Sequence, residues 1–470
     1  MKPAPSESAS RAPSGDPLEG SLAPYADLLK FSFFNATTWM IALGTPLVLL
    51  AGQLGASSFE VGLAYSFVLL LLPVQILATS TLPRFGYKRQ MLFGWAARGI
   101  FLFVPLALAF LAPEEPQRWM VYTLIASTFF FCFFRALGSC AVMPLLYATL
   151  PDAIRGKYFS TDQAINAVSG ILTLLVCALL FRIRPVYEAF FWQYSYALAG
   201  ALMTLYFLGR VKDPPRPEET SLREIAAETP RVCLRRSPYR QYLIFMTTAA
   251  LMGTAFVPLQ AYYLKVEAGL GIDRILLYTA IQYMGAILGT LIMRNRVDRT
   301  GVKPVFRISL FVGAAISTYW FFLVSGSTFL LEVLPLAYFA FGIQTSQWIT
   351  AHLKYMPRVC SERRQALHVS VHSAVIGIIG GLAPIFWGFF VKVSGPNPGV
   401  RSEAFAIYFL FLLSAQLILF FYIPRLTSRH RDRASLQSGG TLLRPFRYVG
   451  NLVNAIPARA QPNTGKRREP

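Results

Sequence analysis

Arg135 lies in Phe133-Phe134-Arg135-Ala136-Leu137-Gly138, near the middle of an apolar run over residues 119 to 148. A guanidinium exposed to hydrocarbon at that depth costs about 3 kcal/mol or more, so it must face protein, water or a bound group. Two readings stay open: a tie to backbone carbonyls that packs helices, and contact with an anionic or polar solute. No carboxylate matches its depth. Of the 23 Asp and Glu, only Asp162 and Glu332 fall clearly inside apolar runs, each within one or two turns of an end. Proton coupling commonly uses a buried carboxyl with a raised pKa, and this chain offers few. Two other sets mix amides, hydroxyls and an indole: Asn35-Ala36-Thr37-Thr38-Trp39 and Gln344-Thr345-Ser346-Gln347-Trp348. With Gln282 and Tyr283, and Gln260 and Tyr262, they could hydrogen-bond and stack on a polyhydroxy solute, or tie one helix to another. His368 and His372, one turn apart, could titrate near neutral pH or lie hydrated at an interface. Arg98, about two turns into its run, is expected to reach back to the surface.

Twelve apolar stretches of spanning length must position these groups, each about 20 residues at about 1.5 Å per residue. The first six are 31 to 53, 59 to 81, 91 to 111, 119 to 148, 158 to 181 and 189 to 209. The second six are 241 to 264, 275 to 293, 306 to 325, 329 to 353, 366 to 391 and 403 to 424. The chain is therefore expected to be an all-α integral membrane protein with two six-helix bundles, over 28–209 and 241–424. Residues 1–27 form a Pro-, Ser- and Gly-containing tail without a signal-peptide pattern, 210–240 a Pro-, Glu- and Arg-rich linker, and 425–470 a basic tail. Leu442, Phe446, Val449, Val453 and Ile456 in that tail have amphipathic spacing, interrupted by Pro445.

With 54% apolar and 14% charged residues, the composition is that of a chain solvated by lipid. The net charge of +21 does not indicate nucleic acid, because 35 of the 44 Lys and Arg fall in the tails and in loops on one side. That asymmetry places both termini in the cytoplasm and offers basic clusters to anionic lipid. Five cysteines, three of them within spans, suggest neither a disulfide framework nor a metal spacing, and no cofactor motif is present.

Two basic hairpins repeat 215 residues apart: Leu82-Pro83-Arg84-Phe85-Gly86-Tyr87-Lys88 and Val297-Asp298-Arg299-Thr300-Gly301-Val302-Lys303. Each joins the second and third span of its half. A second echo pairs Asn166-Ala167-Val168-Ser169-Gly170-Ile171 with Ser373-Ala374-Val375-Ile376-Gly377-Ile378. The halves are read as a duplication. The hairpins resemble the loop motif of the major facilitator superfamily, Gly-x-x-x-Asp-Arg-x-Gly-Arg-Lys. The second copy keeps the acid at Asp298, and Pro83 replaces it in the first. The loops at Pro151 to Lys157 and Pro357 to Arg364 resemble another superfamily loop.

This resemblance implies a secondary carrier whose bundles rock about a central site. Spans one, four, seven and ten would supply most of its lining. Asn35, Arg135, Gln282, Gln344, Gln347 and Trp348 are then the expected solute contacts, and Arg84, Gly86, Lys88, Asp298, Arg299, Gly301 and Lys303 the gating residues. The expected partner is a small polar organic solute, a sugar or an organic anion; a coupling ion and the direction of transport stay open. The Gly-Pro pair that marks drug antiporters on span five is missing, with Gly170 alone there. A polytopic enzyme would need a loop domain or a nucleophile or metal constellation, and no connection carries one. A non-transporting sensor is the other alternative. The expected location is the cell membrane, the inner membrane of a bacterium.

Overall fold

A computed structural model describes residues 22–111, 116–215, 233, 235–293, 301–360, 365–395 and 398–426. Asp298, Arg299, most of the linker and both tails, with the amphipathic segment at 442–456, lie outside them. Among the described residues the chain is helical, with no strand. Its helices are α1 Ala23–Gln53, α2 Ser58–Phe85, α3 Tyr87–Phe110 and α4 Arg118–Thr149, then α5 Asp152–Ile183 and α6 Val186–Arg210. The second half holds α7 Pro238–Glu267, α8 Ile272–Met293, α9 Val302–Val324, α10 Leu334–Val359, α11 Gln365–Ser394 and α12 Pro398–Tyr422.

Among the described residues, ten helical segments are long and apolar enough to cross a membrane. The other two, α6 and α10, are as long at 25 and 26 residues, but Tyr, Trp and Gln side chains lower their hydropathy. Most helices outrun the apolar stretches, because a helix continues through the polar headgroup layer after its apolar residues end. Two ends differ in a way that matters. α5 begins at Asp152, so Asp162 lies about 15 Å along it and within two turns of the start of its apolar segment at Lys157. α10 begins at Leu334, with Pro335 in its first turn, which leaves Glu332 exposed on a 3₁₀ turn outside the span.

The two halves pack alike. α1 packs on α5 and α6 as α7 packs on α11 and α12, and α2 meets α4 as α8 meets α10. Both leading helices break midway. α1 interrupts at Gly44 before Pro46, and α7 at Thr254 before Pro258. Gly86 and Gly301, at the ends of the two hairpins, adopt φ 79°, ψ 166° and φ 79°, ψ 169°. Only glycine occupies that region without strain, so the duplication read from sequence extends to the backbone.

The halves meet through α2 with α11 and α5 with α8. Thr45 and Thr279 share a hydroxyl hydrogen bond of 3.3 Å, and Ser58 Oγ donates to the Gly388 carbonyl at 2.8 Å. These contacts join the face opposite the hairpins, which one large apolar cluster from both halves also fills. At the hairpin face the buried residues form two separate clusters, one per bundle. The halves are thus sealed together at one face and hold separate cores at the other.

Candidate functional site

A closely knit polar group lies within the N-terminal bundle, where α3 and α4 cross at Gly94 and Gly138. A Cβ on Gly94 would sit 2.6 Å from the Gly138 Cα, and one on Gly138 would sit 2.7 Å from the Trp95 ring. Small residues let the backbones approach this closely. The crossing places Arg98 of α3 and Arg135 of α4 on neighbouring helices, with buried Cys132 next to both.

Arg98 does not reach the surface. It is 2% exposed, and it donates to Asn35 Oδ1 at 2.6 Å. Its guanidinium lies 4.4 Å from the Trp95 centroid and 5.3 Å from that of Phe131. The correction follows from its partners: Asn35 of α1 and the Trp95 and Phe131 rings engage the guanidinium inside the bundle, so the side chain turns inward rather than back along α3. A hydrogen bond to a charged group contributes about 1.5–3 kcal/mol and a desolvated cation–π contact about 2 kcal/mol. The Arg98 Nε still has no partner.

Arg135 is half-buried. It donates to the Val68 carbonyl of α2 at 2.8 Å and lies 5.0 Å from the Trp39 centroid, while its Nε is buried without a partner. Neither arginine makes an ion pair among the described residues. Asn35 accepts from the Trp95 indole at 2.9 Å as well as from Arg98, so its carbonyl oxygen organises the cation rather than standing free. Asn166 donates to Asp162 Oδ2 at 3.2 Å, one turn apart on α5.

The C-terminal candidates do not converge in the same way. Gln344 lies toward Gly313 of α9 and Gln416 of α12, and its backbone carbonyl accepts from Ser309. Trp348 stacks on Phe245 at 5.6 Å and meets Phe306 edge-on at 5.2 Å, inside the apolar cluster of its bundle. Gln347 is 4% exposed, with Oε1 unpartnered. Gln282 is half-buried on α8, where Tyr283 lies near Tyr65 of α2. Neither His368 nor His372 is hydrated at an interface. Both are buried, His372 stacked on His352 with centroids 4.9 Å apart, and the Tyr242 hydroxyl meets His352 Nδ1 at 2.6 Å.

Of the hairpin residues, Arg84 is exposed and Lys88 is engaged within its own bundle. Its Nζ donates to the Gly209 carbonyl at the end of α6, 2.7 Å away, and its amide to Asp213 Oδ1 at 3.4 Å. A cation at a helix C-terminus is favourably placed. Lys303 lies in the first turn of α9.

The sequence profile of the Major Facilitator Superfamily matches residues 31–281, more than half of the chain. The chain belongs to the major facilitator superfamily. No protein of curated function matches the sequence. Among solved structures, the nucleoside transporter NupG superposes with a TM-score of 0.61 at 15% identity, over 86% of this chain and 99% of that one. The D-xylose-proton symporter gives 0.64 at 16%, over 87% and 99%. A bacterial homologue of the lysosomal transporter Spinster, inward-facing and unoccupied, gives 0.58 at 15%, over 88% and 98%. These likenesses show the fold. As a superfamily member the chain is a multi-pass membrane transporter rather than an enzyme, and its partner is a small-molecule solute. In the superfamily frame the arginine pair sits on α3 and α4, against the leading helix α1. Sequence reasoning named Asn35 but missed its pairing with Arg98 and Trp95, and the signal for it was Gly94 and Gly138, each within four residues of an intramembrane arginine.

Proposed function

We propose that the chain is an alternating-access carrier of a small organic anion, with Arg135 contacting the solute and Arg98 setting the positive potential behind it. One observation supports this above the others: two guanidiniums share a patch within the membrane-spanning region, and no carboxylate pairs with either among the described residues. A buried cation without a counter-ion is costly, and an anionic solute supplies one. Trp39, stacked on Arg135, adds a flat face for a planar or aliphatic solute body. A sugar would find hydroxyls and amides here but would leave the charge uncompensated.

The side with the hairpins is the cytoplasmic one in this reading, supported by its 35 Lys and Arg, and both ends of the chain lie there. The structure then corresponds to the state closed toward the outside. Rocking would bring the hairpin face together, with Arg84, Lys88, Asp298, Arg299 and Lys303 exchanging partners about the Gly86 and Gly301 turns.

The test is thermal stabilisation of the detergent-purified protein across carboxylates, sugars and nucleosides, since a ligand of the folded state raises its stability. A carboxylate that stabilises wild type and fails on Arg135→Ala is the expected result. Stabilisation by a sugar in both proteins would instead place the site on the amide sets and make Arg135 structural.

A further inference from the structure

A second amphipathic feature opens at the face opposite the hairpins. It is a groove of about 420 Å³ between α2 and α4, closed at its mouth by Lys392 from the end of α11. Its wall on α4 is one helical face, with Arg118, Tyr122, Ala126, Phe129 and Phe130 at three- and four-residue spacing. Tyr122, Ala126 and Phe130 are exposed, so the groove opens sideways to the surroundings. From Arg118 to Phe130 it extends about 18 Å along the helix, which is about the depth of one leaflet of a hydrocarbon core about 30 Å thick.

Charge is confined to the mouth. Arg118 donates to Glu60 Oε1 at 2.6 Å and to the Gly55 carbonyl at 3.1 Å, and Glu60 also accepts from Ser57, so these two groups neutralise each other. Lys392 is exposed, with Nζ 5.8 Å from the Phe59 ring centroid, and makes no ion pair among the described residues. One uncompensated ammonium therefore stands above an aromatic trough one leaflet deep.

We infer that this groove binds a membrane glycerophospholipid, with its phosphate on Lys392 and one acyl chain along Phe67, Phe129 and Phe130. A freely soluble anion would use the mouth and leave the trough empty; a neutral lipid would use the trough and leave Lys392 unpaired. The lipid bridges the halves, because the trough belongs to the first and Lys392 to the second. It therefore favours the state in which Phe59 and Phe389 are in contact, with ring centroids 6.1 Å apart, and the opposite face is sealed.

The experiment is thermal unfolding of the purified full chain, titrated with dioleoylphosphatidylglycerol, with dioleoylglycerol and with inorganic phosphate. Only the phospholipid is expected to raise the midpoint at low concentration. Lys392→Gln should weaken its apparent affinity about tenfold, the size of a lost charge-assisted hydrogen bond. Ala126→Trp, which fills the groove from an exposed position, should abolish the effect while leaving the lipid-free midpoint unchanged. Equal stabilisation by dioleoylglycerol, equal stabilisation by phosphate alone, or unchanged phospholipid affinity in both variants would overturn the proposal.

Discussion

Asn35→Asp replaces one oxygen-bearing side chain by another of the same shape and adds a negative charge where Arg98 and Trp95 already donate, at 2.6 and 2.9 Å. Packing is preserved, so the consequences are electrostatic. Arg98 gains the counter-ion it lacks, and the variant is expected to unfold at a higher temperature than wild type. The same charge repels an anionic solute on Arg135. Two unit charges about 8 Å apart at an effective dielectric of about 20 interact by about 2 kcal/mol, which corresponds to an affinity about thirty times weaker. Equilibrium binding of the stabilising anion to purified protein measures that ratio, and a thermal melt of the same sample measures the first effect. A variant that melts at or above the wild-type temperature and binds the anion with unchanged affinity would refute the reasoning, since it would show that Arg98 does not contribute to the potential at the site.

Gly138→Ala places a methyl group 2.7 Å from the Trp95 ring, which Asn35 holds in place, and is expected to destabilise by about 1–3 kcal/mol. A melt at the wild-type temperature would show that α3 and α4 tolerate separation. Gly86→Ala and Gly301→Ala should each cost about 1–3 kcal/mol, and by similar amounts, because the two residues share one backbone conformation. A silent substitution at either one would break the equivalence of the hairpins. Gly388→Leu forces a side chain against the start of α2 and should open the sealed face. A cysteine replacing buried Thr45 would then react faster with a membrane-impermeant maleimide than in the Gly388 background, and equal rates would contradict that placement of the seal.

The helices were legible because apolar runs of membrane length admit few other structures, and the equivalent turns at Gly86 and Gly301 were legible because Arg, Gly and Lys recur at fixed spacing. Their limits show which information the sequence lacks. Apolarity marks a span but not the partners within a bundle, and Asn35 with the Trp95 and Phe131 rings holds Arg98 in the interior although it stands only about two turns into its apolar run. Membership of a lining helix also leaves the facing direction open, since neighbouring residues point about 100° apart. Gln344 and Trp348, grouped by sequence with Gln347, therefore pack toward α9, α12 and α7. Arg135 was identifiable on energetic grounds alone. Its partners were not, because Val68 contributes a backbone carbonyl that any residue carries.

Uptake of the stabilising carboxylate into liposomes containing purified wild-type protein, compared with Arg135→Gln, tests the central claim most directly. Glutamine keeps a hydrogen-bond donor for Val68 and removes the charge. Saturable uptake by wild type and loss of uptake in a variant that still folds is the predicted result. Equal uptake by both would contradict an anion site at Arg135, and no solute-dependent flux from either would contradict the carrier itself.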